Sequence, residues 1–185
     1  MPVIPLAAEA LLKDIFKSNY DRVLKLFPVP HNTTDTRPYL SDFGTKFIFE
    51  CPIRQAVGSI GNYQEGVWFW NFDHVLSYDA WEPDYPYCAD ACCHGEDLSS
   101  WWTSGALGGW YTPTAAEDQL SHQMATYWGN FVNNGDPNVG LAVPMQWPKY
   151  NVRSDTSILL NLNISTQTGL HAEQCQLLDE IGYFN

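Results

Sequence analysis

At 185 residues the chain has the length of one domain. Apolar residues make up 45%, enough for a core, and 8 Trp, 10 Tyr and 9 Phe exclude a disordered tail. The net charge of −12 argues against nucleic acid, which needs a basic footprint, and against an anionic membrane surface.

The periodicity predicts a helix over Ala7 to Leu26, where Leu11, Leu12, Ile15, Phe16, Val23 and Leu24 recur on one face. Pro28 and Pro30 end it, and His31 to Pro38 reads as a polar loop. Ser41 to Val57 reads as helix, and Gly58 to Gly66 as a break. Val67 to His74 is β-branched and aromatic, apolar on both faces at first, as a strand inside a sheet would be. Asp73 and His74 are adjacent, so a strand points them to opposite faces, and they read as polar strand-end residues.

Tyr78 to Trp110 has no periodicity and reads as a long loop, a feature usually functional or disordered, with aromatics and cysteines that argue against disorder. Thr114 and Glu117 have capping-box spacing and open the clearest helix. Its stripe of Leu120, Met124, Tyr127, Trp128, Phe131 and Val132 reads as core, and Gly135 and Pro137 stop it. Ser157 to Leu162 is a short strand, and His171 to Ile181 a terminal helix. A strand alternating with helices indicates α/β. Two strands do not make a sheet, however, and the first would leave both edges unpaired. The chain therefore reads as part of a larger fold, or as one half of an assembly, prone to expose apolar surface and aggregate alone.

No stretch is long and apolar enough for a membrane span; the longest charge-free run, Leu98 to Ala116, holds Ser, Thr, Gly and Pro. The N-terminus lacks the basic region of a signal peptide. Asn32 and Asn163 nevertheless open N-x-S/T sequons, which matter only in secreted chains. Five cysteines leave at least one thiol unpaired.

Three of those cysteines, Cys88, Cys92 and Cys93, precede His94 and Gly95. Zinc would want a second, distant ligand pair, which is missing, so a local disulfide beside a functional loop is the stronger reading. By itself His94 is a loop histidine, either surface polar or functional beyond the end of a strand. No nucleophile elbow G-x-S-x-G exists: Val57 breaks the register at Ser59, and Ser104 lacks the preceding glycine. Phosphate-loop, dinucleotide and H-E-x-x-H motifs are absent too.

Four segments in order resemble the type-B carboxylesterase (cholinesterase-like) family, over that family's C-terminal third. They are Phe49, Cys51, Pro52 and Arg54; the aromatic run Val67 to His74; Cys93-His94-Gly95; and the helix leading to Asn134-Gly135-Asp136-Pro137-Asn138 and Trp147-Pro148. The resemblance implies that residues 1–185 are the C-terminal segment of a single α/β-hydrolase domain, with the last strands and helices of its sheet. It implies hydrolysis of a small-molecule carboxylic ester without a cofactor or metal: a serine attacks, a histidine acts as base and then acid, and an acidic residue fixes the imidazole. His94 matches the family's base. The nucleophile and the acid would lie upstream of Met1, so the segment needs the N-terminal part of the fold.

The resemblance also implies a bridge from Cys51 to Cys175, a local bridge from Cys88 to Cys93 with Cys92 left over, and a secreted, glycosylated parent. Asp97 stands where the family commonly has Glu, and Ser99-Ser100-Trp101-Trp102 replaces an apolar run that borders the substrate pocket in relatives. Two other readings are a non-catalytic homologue or truncated product serving as an interaction module, and a small Cys/His metal binder.

Overall fold

The computed structural model describes residues 1–78, 85–98 and 112–183. Ser99 to Trp102, and most of the long loop expected over Tyr78 to Trp110, lie outside the described residues. The chain forms two compact units, Met1–Ile60 with Gly169–Asn185, and Gly61–Thr168. Because the first is built from both ends of the chain, no linker in the sequence marks it.

The first unit is helical. The helix expected over Ala7 to Leu26 divides into α1 (Pro5–Phe16), a 3-10 turn (Lys17–Asn19) and α2 (Tyr20–Leu26). Pro5 starts α1 with its fixed φ at a position where a missing N–H costs nothing. Lys17 ends it with φ +47°, a backbone conformation that continues no right-handed helix. Ala8, Leu12 and Phe16, one turn apart, are buried, while Leu11 and Ile15 are exposed. The apolar face is therefore wider than the core it covers.

The second helical stretch starts earlier than expected. It runs through α3 (Arg37–Gly44), a π-turn (Thr45–Glu50) and α4 (Cys51–Ile60). The wider turn adds a residue to the helical repeat. Within it, Lys46 is buried and paired with Asp42 one turn back. Phe43 is the hub of the core: it meets Phe16 and Phe27 edge-on at 5.8 and 5.0 Å and stacks on Phe47 at 5.7 Å. Asp35 accepts from the Val3 and Arg37 backbone N–H groups and pairs with the Arg37 guanidinium, and buried Thr36 donates to the Val3 carbonyl. The N-terminal strand of chain is thereby tied to the start of α3.

The last helix belongs to this unit. His171, at φ +47°, precedes it and contacts Glu50 through Nδ1 at 2.6 Å. A disulfide joins Cys51 to Cys175, with Cα atoms 4.9 Å apart and 124 residues between them in sequence. Both cysteines are fully buried against Leu12 and Leu178 in one apolar cluster.

Among its described residues, the second unit is a three-stranded sheet with one long helix. The strand expected over Val67 to His74 reduces to β1 (Trp70–Phe72). It is not left with two open edges. It pairs in parallel with β2 (Thr156–Leu160), matching Trp70 to Ile158 and Phe72 to Leu160. A third strand, β3 (Ser165–Thr168), pairs antiparallel with β2. Its sequence, Ser-Thr-Gln-Thr, has no apolar alternation, so nothing in composition marks it as a strand.

The helix opened by Thr114, α5 (Ala115–Asn134), has both halves of its capping box. Gly135, at φ +71°, closes it. Leu120, Met124 and Tyr127 are buried against Ile158, Leu160 and Trp147. Phe131 and Val132 instead stay 47% and 77% exposed, so the core stripe is shorter than the apolar pattern. The Tyr127 hydroxyl donates to the Met145 carbonyl at 2.7 Å, and Trp147 Nε1 donates to the Phe69 carbonyl at 3.1 Å. Buried Asn130 bridges to the carbonyls of Pro137 and Leu141, fixing the chain that leaves the helix.

Replacing both Cys51 and Cys175 by Ala removes a cross-link that closes a long loop of the unfolded chain. Stability should fall by roughly 2–5 kcal/mol, read as a lower denaturant midpoint for the helical unit; an unchanged midpoint would show that the bridge adds nothing to the packing around it.

Candidate active site

The segment that carries His94 begins just after β1. A 3-10 turn (Pro86–Cys88) leads into a disulfide between Cys88 and Cys93, with Cα atoms 5.6 Å apart. Backbone bonds from Cys88 N–H to Tyr85 and from Ala91 N–H to Cys88 tighten the ring. On its far side the Glu96 N–H donates to the Cys93 carbonyl at 3.2 Å. Gly95 adopts φ +87°, which a side chain would disfavour. Glu96 is then buried at 2% exposure, while His94 is exposed. The imidazole thus stands on an exposed turn, with the Cys88–Cys93 bridge on one side and buried Glu96 on the other.

Cys88 Sγ, Cys93 Sγ and a Glu96 carboxylate oxygen lie within 4.8 Å of one another. Such a cluster suits a metal only when the sulfurs are thiolates. Here the two sulfurs are bonded to each other, so neither ligates while the disulfide stands. Cys92 is the free cysteine. Although the residue is exposed, its Sγ turns back towards the Phe72 carbonyl at 3.6 Å. Burial of the sulfur there, then the nearby charges of Glu96 and Asp73, push the thiol up to about 12. A thiol so shifted stays protonated at neutral pH and is a poor nucleophile.

A second polar cluster lies where this segment meets the sheet and the helix. Glu117, third residue of α5 and 5% exposed, points its carboxylate at the end of the chain leaving β1. Oε1 accepts from the Ser77 N–H at 2.6 Å and lies 3.2 Å from His74 Nε2. Oε2 accepts from the Ser77 hydroxyl at 2.6 Å and from the Thr114 N–H and hydroxyl, each at 2.8 Å. Burial alone would raise this carboxyl, but the Ser77 and Thr114 donors outweigh it and hold the group at about 2.

The capping-box spacing marked Glu117 as a helix-start residue, but no spacing pointed to Ser77 or His74, some forty residues away. His74, expected as a strand-end polar residue, is nearly buried and belongs to this cluster.

The carboxylesterase family model matches residues 8–178. The chain belongs to the carboxylesterase family. Among its relatives, the cAMP-regulated D2 protein of Dictyostelium discoideum is 29% identical over 177 residues, 95% of this chain and 32% of that protein. The crystal protein of the same organism is 25% identical over 186 residues, covering 98% of this chain and 33% of its own length. Human cocaine esterase is 32% identical over 110 residues, 60% of this chain and 19% of the esterase. The carboxylesterase-family chain therefore spans about a third of the length of the two Dictyostelium proteins. Its mixture of helices with a small sheet agrees with the α/β class of the family.

The Glu117 cluster sets an acid limit. A glutamate without partners takes up its proton near 4.5, whereas the folded chain holds this one charged down to about 2. The ionised form therefore stabilises the fold fully above pH 4.5. That contribution declines as pH falls below 4.5 and is gone below about 2. Glu117→Gln should lower stability at pH 7 and flatten the acid limb of the stability curve, measured by denaturant unfolding at a series of pH values. An acid limb unchanged by the substitution would assign the acid sensitivity to other groups.

Proposed function

We propose that the chain is the C-terminal part of a secreted carboxylesterase-family protein that hydrolyses a small-molecule carboxylic ester, and that His94 is its general base. The observation that carries this reading is the turn around His94: an exposed imidazole between disulfide-bonded Cys93 and positive-φ Gly95, on the segment that follows a parallel strand. In an open α/β sheet, reacting groups gather beyond the carboxyl ends of the strands.

In this mechanism the imidazole takes the proton of a serine hydroxyl as the oxygen attacks the ester carbonyl, then delivers it to the leaving alcohol. The chain has no serine in an elbow motif, so the nucleophile and the acid that orients the imidazole would come from the N-terminal part of the fold. The reaction requires no cofactor from this chain. One of its relatives, human cocaine esterase, is an esterase, which supports the same class of reaction.

His94→Ala in the complete protein should lower kcat at least ~100-fold, the usual scale of a positioned acid–base group. The 185-residue chain by itself should show no turnover of a short-chain aryl ester above that of free imidazole. Turnover by this chain that survives His94→Ala would overturn the reading. A non-catalytic interaction module is the second reading, favoured by Ser99-Ser100-Trp101-Trp102 at the place of the family's pocket-bordering apolar run. It is adopted if the complete protein hydrolyses no ester.

Secretion carries its own consequence. Asn32, between α2 and α3, and Asn163, between β2 and β3, are both exposed and open their sequons on non-helical chain. Expressed through a eukaryotic secretory route, both should carry N-glycans. Enzymatic deglycosylation read by intact mass should remove two glycans, and Asn163→Gln should leave one; an unmodified secreted chain would count against the extracellular assignment.

A further inference from the structure

The geometry points to Glu117 as a positioning residue for His94: its one buried carboxylate fastens Ser77, on the chain leaving β1, to Thr114 at the start of α5, and Cys92, two residues before His94, is hydrogen-bonded to Phe72 at that same strand end. This inference rests on the reading of His94 as general base.

A capping box requires little of its glutamate. One carboxylate oxygen accepting the N-cap N–H completes the motif. Glu117 meets that requirement through Thr114 N–H and goes beyond it. Two further donors, the backbone N–H and hydroxyl of Ser77, come from the other end of the segment, 40 positions earlier. They have no part in starting a helix. His74, three residues before Ser77, adds a contact at 3.2 Å from the same side. The carboxylate therefore sits where chain leaves the sheet and where chain enters α5, with four donors at 2.6–2.8 Å.

Charge and burial make this a stiff connection. Hydrogen bonds to an ionised, buried acceptor are about twice as strong as neutral ones. The helix N-terminus further favours a negative charge at this position. Along the segment itself, the Cys88–Cys93 ring and the Cys92 Sγ contact to the Phe72 carbonyl restrain the stretch next to His94. By holding His74 and Ser77, Glu117 fixes the strand end on which that Cys92 contact rests. A general base needs that, because a displacement of about 1 Å at the reacting atoms can cost ~100-fold in rate.

The variants that test this are Glu117→Gln, which keeps the shape and one acceptor but loses the charge, and Ser77→Ala, which removes the hydroxyl donor, keeps the backbone N–H donor at position 77 and leaves the capping box intact. Tyr127→Phe is the control. It removes a hydrogen bond roughly three turns further along the same helix and touches neither Ser77 nor Thr114. In the 185-residue chain, hydrogen exchange of residues 85–98 should quicken ~10-fold or more in Ser77→Ala and Glu117→Gln relative to exchange in residues 120–134, and not in Tyr127→Phe.

In the complete esterase, both segment variants should lower kcat by about 10–100-fold with KM unchanged, the scale seen when a supporting partner of a functional group is lost. They should also displace the limb of the pH–rate profile that reports the base. Equal quickening of exchange in residues 85–98 and 120–134 would make Glu117 a purely structural cap and overturn the inference. So would normal kcat in a variant whose segment exchange has quickened. If His94→Ala leaves turnover intact, the general-base reading fails and the positioning role fails with it, while segment-specific exchange still establishes the tether itself.

Discussion

A buried carboxylate that is kept ionised constrains the sheet-containing unit where the chain leaving β1 meets the start of α5. Glu117 is closed off from water, and burial by itself would drive it neutral. It stays charged only because Ser77 and Thr114 surround it with donors. The dependence runs both ways. The donors are fixed by the charge, and the charge is tolerated because of the donors. Removing one donor leaves a buried acceptor with fewer partners, which is why such clusters hold their geometry narrowly.

The helical unit is built on a different principle. Its core is aromatic and aliphatic, with Phe43 at the centre of edge-on and stacked contacts. Edge-to-face rings contribute about 0.5–1.5 kcal/mol beyond their buried area, which suits a core made from short helices with few residues each. The disulfide between Cys51 and Cys175 lies inside that packing, joining α4 to the terminal helix. Several large apolar side chains of the same unit, among them Leu6, Ile48 and Ile53, remain about half exposed or more. Scattered apolar residues on a surface are ordinary, but this many on adjoining helices exceed what a core of this size covers.

The chain belongs to the carboxylesterase family, and it carries an exposed histidine on a turn set by a disulfide and a positive-φ glycine, with no nucleophile motif of its own. In α/β-hydrolases the reacting groups are drawn from widely separated parts of the sequence, with the histidine coming after the serine and the acid. A segment covering about a third of its relatives can therefore hold one member of such a set without the others. On the proposed reading the part of this segment is correspondingly narrow: to present the exposed His94 imidazole on its turn.

Much of the fold was legible from residue order because the relevant signals are local. The capping box at Thr114 and Glu117, the stop at Gly135, the apolar turns of α5 and the terminal helix each depend on neighbours within a few positions, and each stands where the pattern placed it. The misses have local causes too. Lys17 breaks a continuous apolar face because its backbone turns through positive φ, which no side-chain pattern encodes. The strand β3 is all polar, and exists because β2 offers it an edge. Phe131 and Val132 continue the apolar stripe of α5 beyond the partners available to cover them.

Residue order also set the candidate base, since His94 is flanked by cysteine and glycine in a recognisable pattern. What only the tertiary structure decided is the company of Glu117. A carboxylate at the third position of a helix satisfies its local rule completely, so the sequence contains no surplus signal. The contact with Ser77 arises because parallel pairing of β1 and the packing of α5 bring together residues separated by 40 positions, and proximity of that kind is a property of the folded chain alone.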